Sequence, residues 1–232
     1  ADRVSDLDAL LDRLGVRENV TLIAHDWGGM ISLAWALRNR SKVKRLVLLN
    51  TAGFFLPQSG ALPWRLKLLR HMPSELTVRG LNAFVRGAIM GCSKRPGRMT
   101  SAVKSGYLAP YDSWSNRIAI HRFVQDIPLQ PGDPSYDLVA EVDAALASFS
   151  ELPIQIFWGE KDFVFDRHFL AEWRRRIPGA EYHTYPDCGH YVLEDAHEEI
   201  TPLVREFLMR NPVGGENGPT ASGEASAERA TP

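Results

Sequence analysis

The sequence predicts an α/β protein, a parallel sheet covered by helices and interrupted by a helical insertion. Three observations carry that expectation. The apolar runs Val20 to Ala24, Leu46 to Asn50 and Leu152 to Gly159 read as buried parallel strands and alternate with helical patterns. After the first run, His25-Asp26-Trp27-Gly28-Gly29 joins a strand to a helix through a turn of small residues around a reactive side chain. Between the second and third runs lies a long stretch of short amphipathic patterns broken by Pro57, Pro63, Pro73, Pro96, Pro110, Pro128, Pro131 and Pro134, as expected of a helical cap over the sheet.

Taken in order, Val4, Leu7, Leu10, Leu11 and Leu14 recur at helical spacing, and Gly15 ends that helix as a glycine just past a C-terminus does. The strand from Val20 and the turn follow, and then a helix from Met30 to about Asn39. Lys42-Val43-Lys44-Arg45 reads as the lead into the strand from Leu46 to Asn50. In the insertion, Leu62 to Leu69, Leu81 to Val85 and Trp114 to Val124 are the helical patterns. The strand from Leu152 returns the chain to the sheet, a helix runs from Arg167 to Ile177, Glu181 to Tyr185 is a short last strand, and a helix from about His197 to Arg210 completes the fold. The chain therefore divides into core residues 1–52, a helical cap over 53–150, a second core part over 151–211 and a tail over 212–232. That tail, rich in Gly, Ala, Ser, Pro and Glu, has too little apolar surface to order itself.

Composition excludes several classes of protein. Hydrophobic residues at 44%, charged residues at 24% and a net charge of −1 are ordinary for one globular domain, and they give no basis for nucleic acid or an anionic membrane as the partner. No apolar stretch is long enough to span a bilayer. Cys92 and Cys188 form neither a disulfide framework nor a CxxC pair, so a reduced, cytoplasmic setting is expected. No phosphate-binding glycine loop or metal-ligand cluster appears, and no metal is expected.

The chemistry concentrates at strand ends. Asp26 follows the first strand, Asp162 follows the third and His190 follows the last, in the order nucleophile, acid, base. The carboxyl edge of an open parallel sheet is where ligands bind, so residues this far apart can converge there. An Asp at the exposed position of a strand-turn-helix elbow is already a carboxylate at neutral pH, whereas a Ser needs a base to activate it. Ala24 and Gly28 take the two small positions on either side of Asp26, where the sharp turn is expected to leave no room for larger side chains. Asp166 and Glu160 compete with Asp162, but the position after Gly159 at the strand end favours Asp162.

His25-Asp26-Trp27-Gly28-Gly29, Trp158-Gly159-Glu160-Lys161-Asp162 and Gly189-His190 together resemble the haloalkane-dehalogenase-like α/β-hydrolases, over roughly residues 1 to 210. The resemblance implies an α/β-hydrolase fold with a cap insertion, with further strands expected before residue 1. It implies that Asp26 attacks a substrate carbon to form a covalent ester, that His190 activates a water against that ester, and that Asp162 holds the His190 ring. Trp27 would supply a backbone N–H to the oxyanion and its indole N–H to a leaving halide. Trp64 and Trp114 are cap candidates for a second donor. In some dehalogenases the acid follows the strand before the cap, where this chain has Leu49-Asn50-Thr51-Ala52-Gly53 and no carboxylate.

The cap segments Tyr107 to Trp114 and Ile118 to Pro128 resemble the β-lactone decarboxylases of long-chain olefin synthesis. The implied partners are an apolar small-molecule substrate and water, with no cofactor. An epoxide hydrolase remains open, with Tyr107, Tyr111 and Tyr136 as proton donors, as does a non-catalytic binding protein or an inactive piece. Oligomeric state is not legible. His25 is expected to support the turn, and His71, His121, His168, His183 and His197 to be surface or helix residues.

Overall fold

A computed structural model describes residues 2–55 and 75–214. Helix α1 (Asp2–Arg13) leads to strand β1 (Val20–His25), helix α2 (Trp27–Arg38) and strand β2 (Val43–Leu49). The insertion carries a π-helical turn (Leu76–Gly80) and helices α3 (Ala83–Gly91), α4 (Ser101–Leu108), α5 (Ile118–Gln125) and α6 (Tyr136–Ala145). Strand β3 (Ile154–Gly159), helix α7 (Arg167–Arg176), strand β4 (Glu181–Tyr185) and helix α8 (Val192–Arg210) follow. The four strands lie in the order β1-β2-β3-β4, every neighbouring pair parallel. This is the α/β sheet the alternating patterns call for.

Because side chains alternate across a strand, the sheet feeds two cores. Val20, Leu22, Ala24, Leu46, Leu48, Ile154, Ile156 and Trp158 pack on one face with α1, α2, α6 and α7. Trp35 of α2 is buried there and donates its indole N–H to Asp8 of α1 at 2.8 Å, which ties the two helices together. Val47, Leu49, Phe157 and Tyr185 pack on the other face against Val192, Ala196, Ile200 and Phe207 of α8. Ile23 shares that second face with its register partner Val47 but is 55% exposed, since β1 is the outer strand here and α8 lies over β3. The expectation that β1 is covered on both faces is therefore corrected.

Two element boundaries also move. β2 starts at Val43, earlier than expected, because Arg45 is a buried strand residue and no part of a solvated lead. Its guanidinium donates to Thr21 Oγ1 and to the carbonyls of Leu208 and Asn211, closing the C-terminal end of α8 where unpaired carbonyls collect. α8 begins at Val192, ahead of the expected start near His197, and is broken at Ala196, whose non-helical φ of −136° separates a first turn from the expected helix beyond it. Within the insertion, Val78, Val85, Ile89 and Ile120 form a small core of their own with Met99, Tyr107, Leu108 and Tyr111 around it. The expected helix over Leu62 to Leu69 and most of the expected tail lie outside the described residues. Among the described residues no helix is long and apolar enough to cross a membrane.

Candidate active site

The turn after β1 is held in a conformation that few side chains adopt. Asp26 has φ 52° and ψ −129°, in the region that favours glycine, at a cost on the order of 1–3 kcal/mol. The surroundings impose it: Asp26 N–H donates to Asn50 O at 3.2 Å, while Asp26 O accepts from Thr51 Oγ1 at 2.6 Å and from Gly29 N–H at 3.0 Å. With both peptide groups so fixed, the side chain projects from the sheet edge into the cavity beneath the insertion. The small-residue requirement falls on Gly29. A Cβ there would sit 1.9 Å from Thr51 Oγ1, whereas one on Gly28 meets nothing within 4 Å. The expectation that the turn leaves no room at Gly28 is corrected accordingly.

His190 approaches Asp26 from the loop after β4. Its Nε2 lies 3.9 Å from Asp26 Oδ2, and its Nδ1 is 2.8 Å from Asp162 Oδ2. Asp162, after β3, is almost wholly buried and accepts from Val164 N–H at 2.6 Å and Asn50 Nδ2 at 2.8 Å as well. Those bonds fix its orientation and leave one oxygen on the imidazole, so Nδ1 carries a proton. The competing carboxylates are placed elsewhere: Asp166 caps α7 by accepting from His168 N–H at 2.9 Å, and Glu160 is exposed.

Charge follows geometry. Burial would lower the His190 pKa, but the Asp162 and Asp26 carboxylates outweigh it and raise the value to about 10. Burial would raise the Asp26 pKa, but His190, 3.9 Å away, with help from His25 and the Trp27 backbone N–H, holds it below the usual carboxylate value. The two carboxylates thus favour the charged form of the His190 imidazole that lies between them. The Trp27 backbone N–H adds to the groups that favour the ionised form of Asp26.

Residues outside this trio support it. Asn50, which from sequence registered only as a missing carboxylate, is fully buried at φ 32°, donates to Gly159 O and Asp162, and accepts from Gly159 N–H at 2.8 Å. It clamps the ends of β2 and β3 together beneath the acid. His25 Nε2 donates to His190 O at 2.9 Å, since a carbonyl can only accept, and burial lowers its pKa as a neutral donor requires. Its expected supporting role at the turn extends to the His190 loop.

The cavity above these groups has a volume of about 600 Å³ and a mostly apolar lining, including Trp27, Phe54, Phe84, Phe123, Val139 and Phe165. The Trp27 ring packs against Phe123 of α5 at 5.4 Å. Tyr111 lines the cavity, and so does Tyr191, which was not singled out from sequence. Tyr107 does not: its hydroxyl donates to Glu194 at 3.0 Å and its ring stacks on Tyr191 at 4.8 Å. Trp114 lies away from the cavity, 44% exposed under the Arg79 guanidinium at 4.5 Å. Trp64 is outside the described residues. Cys92 and Cys188 are buried, and burial pushes both thiols up to about 12, so neither offers a thiolate.

Residues 2–197 match the alpha/beta hydrolase fold family. A cis-3-alkyl-4-alkyloxetan-2-one decarboxylase of Shewanella oneidensis is 47% identical over 89% of this chain and 65% of its own length. One of Xanthomonas campestris pv. campestris is 49% identical over 91% of this chain and 70% of its own length. The chain thus spans about two thirds of the length of these two relatives. Among solved structures, a haloalkane dehalogenase from Bradyrhizobium elkani superposes with a TM-score of 0.77 at 24% identity, covering 90% of this chain and 73% of that one, a likeness of fold. Since Asp26, Asp162 and His190 all lie within the matched stretch and on the strand ends that the fold assigns to such groups, the chain belongs to the alpha/beta hydrolase fold family.

Proposed function

We propose that the chain carries the catalytic core of a β-lactone decarboxylase, which converts a cis-3,4-dialkyl β-lactone into an alkene and carbon dioxide. The observation that carries this reading is an apolar cavity ending on an Asp26 carboxylate paired with His190. The identity of 47% and 49% to relatives bearing that name supports the choice of substrate.

The chemistry needs only these groups. An Asp26 oxygen attacks the ring carbon that bears the ring oxygen, a carbon–oxygen ester bond forms, and the ring carbon–oxygen bond breaks. The electron pair leaves on the freed carboxylate, where the His190 imidazolium can donate Nε2–H and balance the charge. Next, the bond between the neighbouring ring carbon and that carboxylate breaks. Its pair becomes the alkene π bond, and Asp26 leaves with the ester pair. Carbon dioxide and alkene depart, Asp26 is again a free carboxylate beside His190, and no water, oxidant or reductant is consumed. Asp162 and Asn50 hold the imidazolium in place throughout, and the apolar lining takes the alkyl chains.

Product analysis tests the reading. With a cis-dialkyl β-lactone, equimolar alkene and carbon dioxide are expected. In heavy-oxygen water Asp26 should stay unlabelled, since no water attacks its ester. A β-hydroxy acid as the main product would overturn the proposal, and efficient halide release from a 1-bromoalkane with no turnover of the lactone would replace it with dehalogenation.

A further inference from the structure

Asp195 was not singled out from sequence, is fully buried, and has no role in the chemistry above. Its carboxylate is far from idle. One oxygen accepts from Gly189 N–H at 2.7 Å, directly beside His190 in the chain. The two oxygens together accept from Ser93 Oγ at 2.6 Å, from Lys94 N–H at 3.0 and 2.9 Å, and from Arg95 N–H at 3.1 Å, all on the segment of the insertion that follows α3. A buried carboxylate satisfied by this many donors holds each of them firmly, because losing it would leave several N–H groups without their acceptor at once.

A second set of contacts from the same segment brackets His190 on both sides. Tyr191 N–H donates to Cys92 O at 3.0 Å, and Gly189 lies so close to that carbonyl that a Cβ would come within 2.3 Å of it. Arg95 adds pairs with Asp187 at 2.7 Å and with Glu199, and donates to the Asp195 carbonyl at 3.0 Å. The neighbours of the base are therefore held by the insertion, not by the sheet alone. Meanwhile α3, just ahead of this segment, supplies Phe84, Gly87 and Ala88 to the cavity wall.

We propose that Asp195 is a positioning residue that links the seating of the insertion to the placement of His190, so that the loop carrying this imidazole is aligned on Asp26 only when the 93–95 segment is docked. Asp195 touches neither substrate nor reacting atoms; it acts through the Gly189 peptide. The proposal rests on the reading of His190 as the partner of Asp26, and its test separates the two. Moving His190 away from Asp26 and Asp162 weakens both attractions while leaving the burial that opposes them, so a displaced His190 titrates lower.

The full chain is prepared with Asp195→Asn, with Ser93→Ala and with Arg98→Ala. For each, the His190 imidazole is titrated by NMR, and kcat and KM are measured on a cis-dialkyl β-lactone. Asp195→Asn is expected to lower the His190 pKa by about one unit and kcat by about tenfold or more, with KM changed less than about threefold. Ser93→Ala, which removes one of the three donors on the insertion side, should shift both in the same direction by a smaller amount, and it carries the test if Asp195→Asn does not fold. Arg98→Ala cuts an exposed pair with Glu198 on the same segment and should leave both unchanged. A lowered melting temperature for Asp195→Asn with an unmoved His190 titration and kcat would overturn the proposal, as would a silent Ser93→Ala. If the unaltered chain leaves the lactone untouched, the functional reading fails, and the titrations of the variants alone decide the role of Asp195.

Discussion

At the residue scale the site rests on three charges that stabilise one another unequally across pH. His190 has a folded pKa raised from 6.5 to about 10, so its contribution to stability is full below 6.5 and is lost as pH rises toward 10. Asp26 has a folded pKa below 3.8, so its contribution is full above 3.8 and is lost as pH falls through the lowered value. Asp26→Asn removes one of the carboxylates that hold the proton on His190. The difference in melting temperature between the native chain and Asp26→Asn is therefore expected to depend on pH, the charged pair favouring the native chain most between about pH 4 and 6.5 and less as pH climbs toward 10. Thermal scans across that range check it, and a difference that does not change with pH would show that the two groups are not coupled. Asp26, Asp162 and His190 were legible because each stands at the end of a strand pattern, where the chemistry of such folds collects. Asn50 and Asp195 were not, since what they do depends on partners about 100 residues away that no local pattern reveals.

At the element scale, the strand-to-helix turn works because β1 and β2 run in register, placing His25 beside Leu49 and letting Asp26 and Asn50 meet just beyond the ladder. Gly29 is where α2 passes closest to Thr51, and Gly28 faces the cavity. Gly29→Ala should cost roughly 1–3 kcal/mol through overpacking against Thr51, and it loosens the hydroxyl that holds the Asp26 carbonyl. Gly28→Ala, with open space around it, should leave the melting temperature nearly unchanged. Equal effects in paired thermal melts would refute this account of the turn. Strand and helix identities were readable from periodicity, but the boundaries of β2 and α8 were not. Arg45 looks like a solvated lead residue until α8 supplies carbonyls for it, and Val192, Ala196 and Ile200 form a buried row across a bend that local helical spacing does not mark.

At the scale of the molecule, the sheet supplies the reacting groups and the insertion supplies much of the chamber. Parallel order and the carboxyl-edge site followed from the alternation of elements. The chamber did not, because the proline-broken stretch between β2 and β3 gives weak helical patterns, and which of its faces meets the sheet is decided only by packing. Trp114 shows this plainly: an aromatic residue in the right segment turned outward, under Arg79, while Phe123 took the place against Trp27. The two parts come together at Asp26, a carboxylate beside His190 at the floor of an apolar cavity and the nucleophile in the proposed reaction. The most direct test of that claim is the rate of alkene formation from a cis-dialkyl β-lactone by Asp26→Asn, with folding of the variant verified by circular dichroism. A fall of about 10³-fold or more is expected, and a rate within about tenfold of the native chain would contradict it.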